Sequence, residues 1–214
     1  LGDLAGRGFA GHAAMGGVGY GVRNSNQVNL INPAAISSVD SLSFMFDVGM
    51  SLRSSNYKEN GIKNNAKNSS FDYIAMQFRL HKRLGIALSF TPYSNTGYNF
   101  NSTTPISYKD GTSAGSTTFY GDGGLQQFSV GLGFKVLKNL SVGVNAGYMY
   151  GSIDYQAATS PSSSSDQTIN YRNLWVNSYN ANFGIQYTQQ LNKNDNLTVG
   201  LVYGLGHKLN STYT

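Results

Sequence analysis

The chain has 214 residues, of which 12% are charged, 26 are Gly, 15 are Tyr and none is Cys; soluble domains carry about 25% charged residues, so few charges are available to solvate a water-facing surface. Mean hydropathy is −0.29 and no stretch approaches the roughly 18 apolar residues of a membrane helix, which excludes a helical membrane protein. The net charge of +5 comes from 15 Lys and Arg spread along the chain, and its densest basic run, His81-Lys82-Arg83, reads as a solvated turn, so nucleic acid is not an expected partner.

Residues 1–40 open the chain without strand character. Gly at positions 2, 6, 8, 11, 16, 17, 19 and 21 favours irregular backbone, while Phe9, Met15, Val18, Tyr20, Leu30 and Ile31 supply packing groups. This segment is expected to form an N-terminal hatch, or plug, in the lumen of a barrel built from the rest of the chain.

From residue 41 to 214 the chain alternates large apolar residues with Gly, Ser, Asn or Thr. Seven strands are predicted, at about 42–57, 71–81, 84–100, 125–137, 140–155, 171–191 and 197–209. In the third, Leu84, Ile86, Leu88 and Phe90 face one way, and Gly85, Ala87, Ser89 and Thr91 face the other. The fourth sets Phe128, Val130, Leu132, Phe134 and Val136 against Gln127, Ser129, Gly131, Gly133 and Lys135. Short turns fall at 81–83, 138–139 and 192–195; polar stretches at 58–70, 101–124 and 157–170 read as long loops.

A soluble sandwich would bury the apolar face, whereas a barrel in lipid would expose it around a polar lumen. Connections that alternate long and short favour the barrel, because outer-membrane barrels put short turns on the periplasmic side and long loops outside. Tyr57, Tyr98, Phe100, Tyr148, Tyr150, Tyr171 and Trp175 collect toward strand ends, as an interfacial girdle would. The predicted fold is therefore all-β: an antiparallel transmembrane β-barrel in the outer membrane of a Gram-negative bacterium, integral to it, with outer-membrane lipid and lipopolysaccharide as surroundings. Ile86, Leu88, Val130, Leu132, Val142, Val144, Val199 and Leu201 are its expected lipid-facing set. Gln127 and Asn145 are expected in the lumen, with an ion pair between Asp47 and Arg79. Because bacterial barrels have even strand numbers, seven reads as the first half of a larger barrel cut at both ends.

Ala14-Met15-Gly16-Gly17 followed by Asn32-Pro33-Ala34-Ala35, just before the first strand, resembles the start of the FadL-type long-chain fatty-acid transporters. Gly121-Asp122-Gly123-Gly124-Leu125-Gln126-Gln127 and Leu137-Lys138-Asn139-Leu140-Ser141-Val142-Gly143 are similar to the family's divergent members. The resemblance implies a fourteen-stranded barrel with an N-terminal hatch, passive uptake of hydrophobic or amphipathic small molecules such as long-chain fatty acids, and a kink in the third strand that opens the wall sideways. On that reading Met15, Gly16, Gly17, Tyr20, Asn32 and Pro33 are candidate hatch and ligand-binding residues, and Pro92 and Tyr93 a lateral gate, since proline cannot donate to a ladder. A strand that simply ends near Phe90 is the alternative. The rival function is a non-transporting barrel subunit, a scaffold in an envelope secretion or assembly complex, with envelope-complex proteins as partners.

Catalysis is not expected. His12, His81 and His207 are far apart and lack metal-ligand spacing, and no nucleophile elbow, phosphate loop or Cys nucleophile appears. No cofactor or metal is implied.

Overall fold

In a computed structural model, residues 3–4, 10–59, 61–108, 111–161, 167–193, 195–206 and 208–213 are described. Phe9, a packing group of the expected hatch, lies outside them, as do His207 and the serine run 162–165. The elements in chain order are β1 (Asp3–Leu4), α1 (Ala10–Ala13), a 3-10 helix (Pro33–Ser38), β2 (Phe44–Glu59), β3 (Ile62–His81), β4 (Leu84–Tyr108), β5 (Gly111–Lys135), β6 (Leu140–Pro161), β7 (Thr168–Gln190), β8 (Asn196–Gly204) and β9 (Ser211–Tyr213).

Strands β2 to β8 pair antiparallel in chain order and curl into a half-barrel of seven strands. The alternation read from the sequence is the alternation of the two faces. Ala75 and Ala87 are fully buried and Gln77, Ser89, Ser129 and Gln186 nearly so, whereas Phe44 is 64%, Val199 60% and Leu201 69% exposed on the other face. Of the expected outward set, Leu132, Val199 and Leu201 are exposed, and Ile86, Leu88, Val130, Val142 and Val144 are half-buried beside them. In these alternating stretches the large apolar side chains thus point away from the concave face, the reverse of a soluble sandwich.

Three expectations need correction. The polar stretches at 58–70, 101–124 and 157–170 are strand rather than loop: pairing runs out to Glu59↔Ile62, Tyr108↔Gly111 and Thr159↔Thr168. Ladders need only backbone donors and acceptors, so strands keep pairing after their apolar alternation has faded. The sidedness survives, with hairpin tips at one end and short turns at the other. β4 and β5 have 25 residues each, so their hairpin runs well past the last β3–β4 pair at Phe90.

The seventh strand ends at Gly204 rather than Leu209. Leu205 still donates to the Ala181 carbonyl at 2.9 Å and Asn210 accepts from Asn177 at 3.1 Å. Leu209 packs against an inner apolar cluster of Leu125, Met149, Ile153, Leu174 and Val176. The third correction concerns Asp47 and Arg79. The register pairs Asp47 with Ala75, four residues short of Arg79 along β3, about 13 Å at strand rise. Tyr73 Oη instead donates to Asp47 at 3.1 Å, and Arg79 donates to Ser41 Oγ at 2.7 Å.

Candidate functional site

The concave face carries a track of glycines, and the N-terminal segment lies in it. A Cβ on Gly133 would stand 2.5 Å from the Ser37 nitrogen. On Gly85 it would collide with the Ile36 carbonyl, on Gly143 with Pro33, on Gly184 with Asn32 and Pro33, and on Gly200 with the Tyr20 carbonyl. These glycines sit on β4 through β8, so the backbone of the 3-10 helix and its flanks rests directly on five consecutive strands. Close backbone approach is what a strand glycine permits and any side chain forbids.

Two asparagines shape the segment. Asn29 Nδ2 donates to the carbonyls of Gly19 and Val22, both at 2.9 Å, and its Oδ1 accepts from Ile31 nitrogen at 3.0 Å. Asn32 caps the 3-10 helix: its Oδ1 accepts from Ala34 nitrogen at 3.0 Å with Pro33 following, the pairing of cap and first-turn proline expected at a helix start. Its Nδ2 donates to Tyr20 O at 2.8 Å and to Ile185 O on β7 at 3.1 Å, so one side chain joins two stretches of the segment to the sheet. Arg23 donates to Gln186 Oε1 and Ser37 Oγ, both at 3.1 Å, while Gln186 Nε2 donates to Tyr20 O and Val22 O at 3.0 and 3.1 Å. Burial pushes the Arg23 guanidinium below its ordinary range.

Above this contact is a cavity of about 520 Å³. Ser129, Asn145 and Asn182 line it from the strands, Tyr20 and Ile31 from the segment, and Leu209 from the stretch after β8. Its lining mixes polar and apolar side chains. Among the described residues no group of three His, Cys, Asp or Glu could hold a metal. His12 is fully buried with neither ring nitrogen partnered among the described residues, and burial pulls its pKa below 6.5.

Each predicted site residue now has a place. Met15, Gly16 and Gly17 form the turn that ends α1: Gly16 and Gly17 have φ of 67° and 84°, and their amides return to Ala13 O and His12 O at 3.1 and 2.7 Å. These are left-handed positions that favour glycine. Met15 and Tyr20 expose their side chains; Tyr20 contributes through its carbonyl. Asn32 and Pro33 sit at the centre of the docked segment. The residues that sequence reasoning missed are Arg23, Asn29, Ser37, Gln186 and the glycine track. A signal existed for the track, since Gly85 and Gly133 fall on the predicted small-residue face of their strands, and Gly143, Gly184 and Gly200 each stand between two large apolar residues in theirs.

Pro92 and Tyr93 line the same cavity as Gly17 and Tyr20, beside a seam in the sheet. β3 and β4 pair only from His81↔Leu84 to Ile74↔Phe90. Beyond Phe90, β3 continues with β2 and β4 with β5, whose register shifts between Pro92 and Ser94. Asp3 and Leu4 then pair with Asn95 and Ser94, on β4 beyond its contact with β3. The third strand therefore neither ends near Phe90 nor keeps an unbroken ladder.

The family model BamG matches residues 1–214, and the chain belongs to that family, which is associated with the BAM complex. No curated protein and no solved structure matches the chain. This corrects the resemblance to FadL-type transporters and, with it, fatty-acid and lipid uptake. The motifs behind that resemblance have local structural work instead: Gly16-Gly17 closes a helix and Asn32-Pro33 starts one. Of the two functions weighed from the sequence, the family supports the assembly-complex alternative.

Proposed function

We propose that the protein is a non-catalytic β-barrel subunit of the BAM assembly complex, embedded in the outer membrane as a scaffold. The carrying observation is the BamG match across residues 1–214. The outward apolar face supports a position in lipid. In lipid every backbone donor and acceptor must be satisfied, so the free edges of β2 and β8 would take further strands and close a larger barrel. Residues 10–40, docked on the glycine track, would then plug its lumen, with outer-membrane lipid and lipopolysaccharide around the wall.

Mild-detergent extraction of a tagged protein from outer membranes tests this. Co-isolation with the other subunits in fixed proportion is expected, together with a fall in folded outer-membrane proteins when the chain is depleted. A protein that elutes alone, and whose depletion leaves those proteins unchanged, would overturn the reading.

A further inference from the structure

Where β4 parts from β3, its freed edge begins with a strand already in place: Asp3↔Asn95 and Leu4↔Ser94, antiparallel. From Thr96 to Thr103 the same edge has no partner strand among the described residues, while the opposite edge stays paired with β5 throughout. Natural edges are blunted by charge, proline or a bulge. This one reads Thr-Gly-Tyr-Asn-Phe-Asn-Ser-Thr, rich in strand-forming aromatics and threonine, without a charge and without proline. The edge of β3 that β4 leaves behind is protected differently, by Lys63 and Lys67, both exposed. Two hydroxyls at the start of the freed edge, Ser94 Oγ and Thr96 Oγ1, are buried and unpartnered among the described residues.

We propose that the β4 edge from Thr96 to Thr103, next to the strand that Asp3 and Leu4 already add, binds an extended segment of another polypeptide by strand addition, antiparallel to β4. The occupant carries acidic side chains, which Lys63 and Lys67 across the seam favour and which the resident Asp3 already exemplifies. Main-chain pairing supplies affinity in this mode and alternate side chains supply selectivity. The proposal rests on the assembly-complex reading for the source of the partner, and on the seam alone for the edge.

The test places a photo-crosslinking amino acid at Asn99, Asn101 or, as control, Asn65 of the whole protein in its native membrane. Adducts from Asn99 and Asn101 should map to one contiguous partner segment, with the Asn101 contact about two residues N-terminal to the Asn99 contact, as antiparallel pairing requires. Gly97→Glu, at a glycine with open space around its Cβ position, should abolish both adducts by repelling the acidic segment, while the protein still runs as folded in unheated gels. Lys63→Glu with Lys67→Glu should do so without touching β4. Equal labelling from Asn65, adducts only to the chain's own N-terminal part, or no adduct while the protein co-isolates with the complex would each overturn the edge proposal. Ordered adducts from a protein that fails to co-isolate would sink the assembly reading and leave the edge standing.

Discussion

Gly143 and Gly97 show how one residue type can be indispensable in one place and incidental in another. The space above Gly143 is filled by the backbone of Pro33 and Ala34, whereas nothing stands within 4 Å of a Cβ on Gly97. Gly143→Val should displace the 3-10 helix at a cost of about 1–3 kcal/mol, the usual range for overpacking. Gly97→Ala should stay within about 0.5 kcal/mol. Denaturant midpoints of the refolded protein, with trypsin cleavage after Arg23 as the reading of segment release, separate the two. His12 adds a pH dependence. Burial holds its pKa below 6.5, so the released segment binds the proton more readily than the docked one. Docking is fully stable above about pH 6.5 and weakens as pH falls through that value toward the lowered one. Cleavage after Arg23 should rise from about pH 7 to about pH 5, and His12→Leu should flatten that rise; an unchanged slope in the variant would assign the effect elsewhere.

At the scale of elements, the long hairpin strands have a part that alternates and a part that does not. Leu132 and Leu201 stand in alternating stretches and Ile62, at a hairpin tip, does not, although all three are exposed. On the proposed position in lipid, Leu132→Arg or Leu201→Arg should cost about 2–4 kcal/mol if near the midplane. Ile62→Arg should cost almost nothing, because the tip meets water. Urea titrations in lipid vesicles read the difference, and equal costs at all three sites would refute the proposed depth. The alternating parts were legible because one face must be greasy and the other small. The hairpin extensions at 101–124 and 157–170 were not, since their Ser, Thr, Gly and Asn carry no apolar period.

For the whole molecule, the informative relation is between the sheet and the segment it holds. Asn145 is 7% exposed, close to Leu30 and Ile36 where they meet Gly131. A cysteine at Asn145 should react slowly with an aqueous maleimide in the intact protein and quickly once residues 1–40 are deleted. Equal rates would mean that the segment does not shield the inner face. The glycine track, the Asn32 cap and the Arg23–Gln186 contact all join the segment to the sheet.

The sequence by itself determined the strand order, the outward apolar face, the side bearing the short turns and the glycine-rich character of the first forty residues. Each follows from local chemistry: side-chain period, turn residues and backbone freedom. Its family likeness misled, because Gly-Gly and Asn-Pro are solutions to helix ends that unrelated functions share. Tertiary structure alone decided that Asp47 meets Tyr73 and not Arg79, that Gln186 receives the N-terminal segment, and that β3 and β4 separate at Phe90. Register across strands and contacts between residues 163 apart in sequence, such as Arg23 with Gln186, depend on how the whole sheet curls, and no local pattern encodes that.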